Sequence, residues 1–208
     1  MQTEPPLGSS DDFASGATRS GLPPDAARPD TPEPNAPGPD APRPQASRPR
    51  RATAQFMLSH PLHLISLGFG SGLSPFAPGT FGTLFAWASF DVLNRYLTVL
   101  DWAALIVVGF LAGISISAFT AKRLGTDDPS SVVWDEIVAF WLVLLMVTPA
   151  TFTGQAWAFV VFRFFDMVKP PPIRYFDRRL KGGFGIMFDD LVAAFFTLLV
   201  IALWRMSV

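Results

Sequence analysis

Five carboxylates lie at the edges of apolar segments in this chain: Asp135, Glu136, Asp166, Asp189 and Asp190. Charged side chains at the rim of membrane helices are costly to place, so those that occur are usually functional. Grouped carboxylates also offer the oxygen ligands that a hard divalent cation such as Mg²⁺ prefers. The five acids therefore predict a catalytic magnesium site, with phosphate chemistry at a membrane surface.

Basic residues accompany these acids in the segment "VVFRFFDMVKPPPIRYFDRR". Arg163, Asp166 and Lys169 are spaced three residues apart, so successive members are neighbours on one helical surface. We expect Asp166 to hold a metal ion while Arg163 and Lys169 face a phosphate, with Arg174 also near the anionic substrate. Two alternatives are a salt-bridge ladder within the helix and, for the arginines, simple anchoring at the cytoplasmic surface.

Two glycine-rich stretches flank the apolar segments. The stretch "GFGSGLSPFAPGTFG" at 68–82 predicts a loop because of its Gly and Pro content. We expect residues 70–82 of this loop to close over a phosphate-bearing group, with Gly72 and Thr80 among the phosphate-binding residues, and Thr80 is also a candidate N-cap. The second stretch, "KGGFG" before Asp189, would let backbone N–H groups approach an anion. Neither stretch has P-loop or Rossmann spacing.

The composition excludes several kinds of chemistry. The chain has 208 residues, no Cys and two His, His60 and His63, which excludes disulfides, zinc–thiolate sites and cysteine nucleophiles. A net charge of −1 argues against nucleic acid as a partner. The usual D-x-D motif of aspartyl-phosphate enzymes is absent. Because no His follows His63, the pattern of histidine-based lipid phosphatases is absent as well. Direct attack by water with metal assistance is the route that remains.

The chain divides in composition near residue 54. Residues 1–54 are rich in Pro, Ala, Asp and Arg and hold too little apolar surface to offset the entropy of ordering, so we expect a disordered tail. A proline-rich adaptor ligand is the alternative for this tail. It contains no basic stretch followed by an apolar run, so we expect no signal peptide. Residues 55–208 are expected to form one helical membrane domain.

Five apolar segments predict an all-α, multi-pass membrane protein of about four to five apolar helices plus short amphipathic helices, one of them at 56–67. A membrane-spanning helix needs about 20 residues. The second segment meets that length, whereas the first, third and fourth are marginal, so a soluble helical bundle is an alternative. The segments run over 81–97, 102–121, 132–148, 156–168 and 191–204.

Basic and neutral turns alternate between these segments. Arg48, Arg50 and Arg51 precede the first, the turn at 97–101 has no Lys or Arg, and Lys122 and Arg123 follow the second. Because basic turns face the cytoplasm, we expect a cytoplasmic N-terminus. All five acids then fall on the cytoplasmic side.

Three strings give the chain a strong resemblance to the bacterial phosphatidylglycerophosphatase A family: "GFGSGLSPFAPGTFGTL", "SVVWDEIVAF" and "FRFFDMVKPPPIRYFDRRLKGGFGIMFDDLVA". They occur in the expected order, and the resemblance covers residues 62–208. It implies a Mg²⁺-dependent enzyme of the bacterial inner membrane that hydrolyses the terminal phosphomonoester of phosphatidylglycerophosphate. The family positions carried over are Asp135, Glu136, Arg163, Asp166, Lys169, Arg174, Asp189 and Asp190.

Two other classes of function compete with the phosphatase. A small transporter or channel would place its acids at helix centres, whereas these acids lie at segment ends. A non-catalytic membrane scaffold would recruit partners through the tail and would tolerate replacement of the acids. The expected partners are the lipid substrate and the membrane. Related lipid phosphates such as phosphatidic acid remain alternative substrates.

Overall fold

The computed structural model describes residues 51–168 and 182–207, and every regular element in those ranges is helical. The prediction of an all-α fold is thereby confirmed. In chain order the elements are α1 (Ala54–Leu58), α2 (Pro61–Ser66), a 3-10 helix (Gly68–Leu73), α3 (Pro78–Leu93), α4 (Val99–Leu124), α5 (Trp134–Val147), α6 (Phe152–Val168) and α7 (Gly183–Ser207).

Helix α5 is the centre of the bundle. It packs against α3, α4, α6 and α7. After Glu136 its sequence is apolar around the whole circumference, as expected for a helix surrounded by others. Ile137, Phe140 and Leu144 are fully buried. The buried residues on both sides of Asp135 and Glu136 therefore fix how α5 presents these two acids.

Tryptophan side chains tie the helices together. The Trp134 indole N–H donates to the carbonyl oxygen of Gly109 on α4 at 3.0 Å. The Trp141 indole N–H donates to the carbonyl oxygen of Ala86 on α3 at 3.1 Å. A buried indole N–H normally needs an acceptor, so these bonds specify both the helix neighbours and their register.

Helix α3 begins earlier than the sequence suggests. Ala77 is its N-cap and Pro78 its first residue, so the prediction that Thr80 caps this helix is wrong. Proline favours the first helical position because its fixed φ suits the helix and its missing N–H would have no helical partner. The predicted loop over 68–82 is also interrupted, since residues 68–73 form a 3-10 helix.

Two helices are long and apolar enough to cross a membrane: α4, with 26 residues, and α7, with 25. Among the described helices, α3, α5 and α6 have 16, 14 and 17 residues, which is below the roughly 20 residues that a full span requires. The structure therefore supports two candidate spans, fewer than the four to five apolar membrane helices expected. The expectation of short helices at 56–67 agrees with α1 and α2.

Helices α4 and α7 approach each other closely at Gly183. A Cβ atom added at this position would lie 1.8 Å from the carbonyl oxygen of Ile114 and 2.9 Å from the Cβ of Ala118. The obstacle is mainly backbone, which cannot rotate away as a flexible side chain would. Glycine at 183 is therefore what allows the start of α7 to lie directly on α4.

We predict that Gly183→Ala destabilises the bundle, because the added methyl group forces α7 away from α4. Overpacking of this kind typically costs about 1–3 kcal/mol. The matched control is Gly154→Ala in α6, where the nearest neighbour of an added Cβ is 3.5 Å away. Thermal unfolding of the purified variants measures both, and equal melting temperatures would contradict the close α4–α7 contact.

Candidate active site

A cavity of about 440 Å³ lies where several helix ends meet. The starts of α3, α5 and α7, the end of α6 and the connection after α4 all contribute to it. We call it the acid cavity, because all five carboxylates singled out from the sequence line it: Asp135, Glu136, Asp166, Asp189 and Asp190. These residues are separated by up to 55 positions in the chain, and the bundle brings them to one end.

Buried neighbours fix the rotation of the acid-bearing helices about their own axes. On α6, Phe162 is fully buried and its ring centroid lies 5.3 Å from that of Phe140 on α5. That contact helps to direct the following turn of α6 toward the start of α5. On α7, Met187 and Ala193 are buried on either side of the acid pair, and Asp190 itself is only 4% exposed.

Three of the acids form a group suited to one cation. Glu136, Asp166 and Asp190 each offer a carboxylate oxygen, and these three oxygens all lie within 4.8 Å of one another. They come from α5, α6 and α7 respectively. Oxygen-only donors are the ligands of hard divalent cations, so this group is the best candidate for a metal centre among the described residues.

Arg163 crosses from α6 to this group and pairs with two of its members. Its Nη1 lies 2.5 Å from Asp166 Oδ2 and 3.1 Å from Glu136 Oε1. All three side chains are about one-eighth exposed, so the pairs are weakly screened by solvent. The first pair of the salt-bridge ladder expected from the i, i+3 spacing, Arg163 with Asp166, therefore occurs, and Arg163 also pairs with Glu136 on the neighbouring helix. Arg163 holds two carboxylates in place.

Several buried carboxylate oxygens at the cavity have no hydrogen-bond partner within the described ranges. They include Asp135 Oδ1, Glu136 Oε2 and Asp190 Oδ2. Leaving such a group without a partner costs about 1–3 kcal/mol, and more when it is charged. A bound cation would satisfy these oxygens and offset their mutual repulsion. The residues present therefore fit a hard divalent metal ion.

The start of α3 presses against the Glu136 carboxylate. A Cβ atom added at Gly79 would lie 1.9 Å from Glu136 Oε1, so a larger residue at this position would displace the Glu136 carboxylate. Ala77, which precedes α3, has φ of 44° and also lines the cavity. Together with α5 and α7, three helix N-termini border the cavity. Their dipoles favour negative charge, whether it belongs to carboxylates or to a phosphate.

The remaining predicted phosphate-binding residues lie in different places. Gly72 and Thr80 are not among the lining residues; Gly72 instead packs on the connection before α5, since its Cβ would lie 2.1 Å from the Ser131 carbonyl oxygen. Lys169 and Arg174 lie outside the described residues. Met167 and Gly182 lie on either side of that segment in the chain, and both line the cavity.

The sequence reasoning missed two acids at the same site. Asp127 and Asp128 line the cavity from the connection after α4, together with Ser130. They stand just before the apolar segment of α5, in "GTDDPSS". The criterion that selected the other acids, a position at the edge of an apolar segment, would have selected this pair as well. Seven carboxylates thus border the described part of the cavity.

The two histidines do not line the acid cavity. His63 is 3% exposed, and its Nδ1 lies 3.0 Å from Thr120 Oγ1 on α4. Burial lowers the pKa of the His63 imidazole, and the nearby His60 and Arg123 lower it further. The ring is thus held neutral near pH 7 between α2 and α4. The acid cavity, as described, therefore has no histidine available as a catalytic group.

Comparison with known proteins adds to this geometry. The family model for phosphatidylglycerophosphatase A matches residues 64–205. A protein of Escherichia coli K12 named phosphatidylglycerophosphatase A is 42% identical over 142 residues, which is 68% of this chain and 82% of that protein. A protein of the same name from Haemophilus influenzae is 41% identical over 144 residues, covering 69% of this chain and 88% of its own length.

A third relative carries a different name. The putative phosphatidylinositol-3-phosphatase of Bacteroides thetaiotaomicron is 42% identical over 156 residues, covering 68% of this chain and 92% of that protein. No solved structure matches the chain. The family model covers most of the chain and all five acids first singled out from the sequence. The chain therefore belongs to the phosphatidylglycerophosphatase A family.

Proposed function

We propose that this protein hydrolyses the terminal phosphomonoester of phosphatidylglycerophosphate, releasing phosphatidylglycerol and inorganic phosphate. The observation that carries the proposal is the meeting of five carboxylates and Arg163 in one cavity of a chain that belongs to this family. The names of the Escherichia coli and Haemophilus influenzae relatives supply the substrate. The acids lie together at helix ends, an arrangement that favours an enzyme over a channel.

The proposed metal ion is Mg²⁺, held by Glu136, Asp166 and Asp190, with Asp135 and Asp189 beside them. The three oxygens that lie within 4.8 Å of one another support this set. When bound, the ion would supply positive charge against the phosphate oxygens and a means of orienting the attacking water. One of the five carboxylates accepts the proton of that water. Water attacks phosphorus, the bond from phosphorus to the ester oxygen breaks, and the released glycerol oxygen takes up a proton.

Phosphate recognition is assigned to Arg163, Lys169 and Arg174. Arg163 already contacts two acids of the cavity, so it stands next to any phosphate bound there. Lys169 and Arg174 belong to a segment whose flanking residues, Met167 and Gly182, both line the cavity. Gly72 and Thr80, the other two residues expected to bind phosphate, do not line the cavity, so the proposal gives them no contact with the phosphate.

The proposed setting is the bacterial inner membrane, with several passes and the acid cavity facing the cytoplasm. Helices α4 and α7 meet the length and hydropathy of spans. Apolar side chains are exposed in the middle of both, among them Val108, Leu111 and Leu199. Exposed apolar surface of this kind suits hydrocarbon. Trp157 and Trp204 are half-exposed or more near the opposite end of the bundle, where an aromatic belt is expected.

Residues 1–54 remain outside the proposed catalytic domain, as a tail with no part in the chemistry. The match to the family model and the cavity residues all fall beyond this stretch.

The relative from Bacteroides thetaiotaomicron raises a second candidate substrate, because its name refers to a phosphatidylinositol 3-phosphate. Both lipids carry a phosphomonoester, so the acid cavity suits either. The family membership favours phosphatidylglycerophosphate.

We predict that the purified protein releases phosphate from phosphatidylglycerophosphate in mixed micelles with Mg²⁺, and that EDTA abolishes the release. Asp135→Asn should reduce kcat/KM at least 100-fold, since it removes a buried carboxylate of the proposed site. The matched control is Asp91→Asn, whose side chain is 68% exposed and paired with Arg95 at the end of α3 away from the cavity. Normal turnover in Asp135→Asn would contradict the assignment, and faster release from phosphatidylinositol 3-phosphate would favour the second substrate.

We also predict that Mg²⁺ or Mn²⁺ stabilises the protein against heat. A ligand at 100 times its Kd adds about 2.7 kcal/mol to the free energy of unfolding. Asp190→Asn should lower the affinity for the cation at least tenfold, since Asp190 belongs to the group of three oxygens. Asp91→Asn again serves as the control. Melting temperatures measured across a cation titration test this, and an unchanged titration in Asp190→Asn would remove the residue from the site.

A third prediction concerns orientation. The chain has no Cys, so a single introduced thiol reports its own accessibility. Ser130→Cys lies at the cavity and Thr153→Cys at the start of α6, and both positions are exposed. A membrane-impermeant maleimide added to intact cells should label Thr153→Cys only, whereas Ser130→Cys should react after permeabilisation. Labelling of Ser130→Cys in intact cells would place the cavity on the opposite side.

A further inference from the structure

An apolar groove of about 270 Å³ lies on the side of the bundle between α4, α5 and α7. Apart from Asp135, all its lining residues are apolar. Each of the three helices supplies part of the wall, and the residues that define it here are Ile106, Leu111, Val138, Leu142, Met187 and Leu191. This apolar groove is distinct from the acid cavity in chemistry, because hardly any polar surface enters it.

Asp135 connects the two spaces, since it lines both the acid cavity and the apolar groove. From Asp135 the groove follows α5 as far as Leu142. Seven residues of α-helix correspond to about 10 Å along the axis. The groove therefore runs from the proposed reaction centre toward the middle of the bundle, with a carboxylate at one end and hydrocarbon side chains along its length.

The groove is open along α4. Val107 and Leu111 line it and are 56% and 61% exposed. The opposite wall is closed, since Val138 and Met187 are almost fully buried. Because α4 is a candidate membrane span, the open side faces the hydrocarbon of the bilayer in the proposed setting. A lipid chain can therefore enter from the side, without crossing the polar cavity.

We propose that the apolar groove holds one acyl chain of the phospholipid substrate while its phosphate occupies the acid cavity. This inference rests on the proposed function. The space holds about 270 Å³ beside about 10 Å of α5, which is too little for a helix of another protein, since an α-helix with side chains measures about 10–12 Å across. A single extended hydrocarbon chain has the right width and chemistry. Its burial supplies binding energy remote from the reacting phosphate, which helps to position that phosphate.

The test compares two neighbouring valines of α4. Val107 lines the apolar groove, whereas Val108 is 63% exposed and does not line it. We expect Val107→Trp to fill the groove and lower kcat/KM for dioleoyl phosphatidylglycerophosphate at least tenfold, chiefly by raising KM. Val108→Trp should stay within twofold of wild type. Because both positions are exposed, neither substitution disturbs the core.

A labelling experiment gives a readout that does not depend on turnover. The probe is phosphatidylglycerophosphate with a photoreactive diazirine midway along one acyl chain, and the protein is the full chain in micelles with Mg²⁺, irradiated before the probe is hydrolysed. We expect crosslinks on α4 near Leu111 and on α7 near Leu191. Excess dioleoyl phosphatidylglycerophosphate should suppress them, whereas excess phosphatidylcholine should not. Val107→Trp should reduce them at least fivefold, and Val108→Trp should not.

The outcomes separate the two proposals. If wild type releases no phosphate from any of the lipid phosphomonoesters, the proposed function fails. If wild type is active but Val107→Trp and Val108→Trp behave alike in both experiments, the phosphatase stands and the acyl-chain groove is wrong. Crosslinks that phosphatidylcholine suppresses equally well would show a surface covered by bulk lipid and would also overturn the groove.

Discussion

Repulsion between buried carboxylates is the constraint on which the rest of this structure depends. Seven acids of the described residues border one cavity; Asp127 and Asp128 are exposed, the other five are buried or partly buried, and three of these five offer oxygens within 4.8 Å of one another. Burial strengthens such repulsion, because the protein interior screens charge less than water does. Arg163 offsets part of it with one guanidinium nitrogen shared between Glu136 and Asp166, and three helix N-termini add favourable dipoles. The remaining negative charge is what makes the site suited to a cation and, through it, to a phosphate.

The apolar packing supplies the rigidity that this arrangement requires. Like charges move apart unless the helices that carry them are fixed. Trp134 and Trp141 lock α5 to α4 and α3 by hydrogen bonds to backbone oxygens, and Gly183 lets α7 lie on α4 without a gap. None of these residues is assigned a chemical step. They hold the acids at separations that free helices would not keep.

The sequence predicted the helices and the principal acids because both depend on local signals. Apolar runs gave α3 to α7 approximately, and acids at the edges of those runs gave the five carboxylates of the cavity. What it could not predict depends on contacts between distant segments. The pairing of Arg163 with Glu136 joins positions 27 residues apart, and the approach of Gly79 to the same carboxylate joins positions 57 apart. Pro78 is itself a local signal for the start of a helix, and the prediction of Thr80 as the N-cap overlooks it.

The distribution of the acids over four chain segments has a consequence for biosynthesis. No single helix carries more than two of them, so each helix can be inserted and folded without the full concentration of charge. Asp189 and Asp190 are on α7, which is synthesised after α3 to α6. The group of three carboxylate oxygens is therefore incomplete until α7 docks, and a ribosome-bound intermediate without that helix still lacks Asp189 and Asp190.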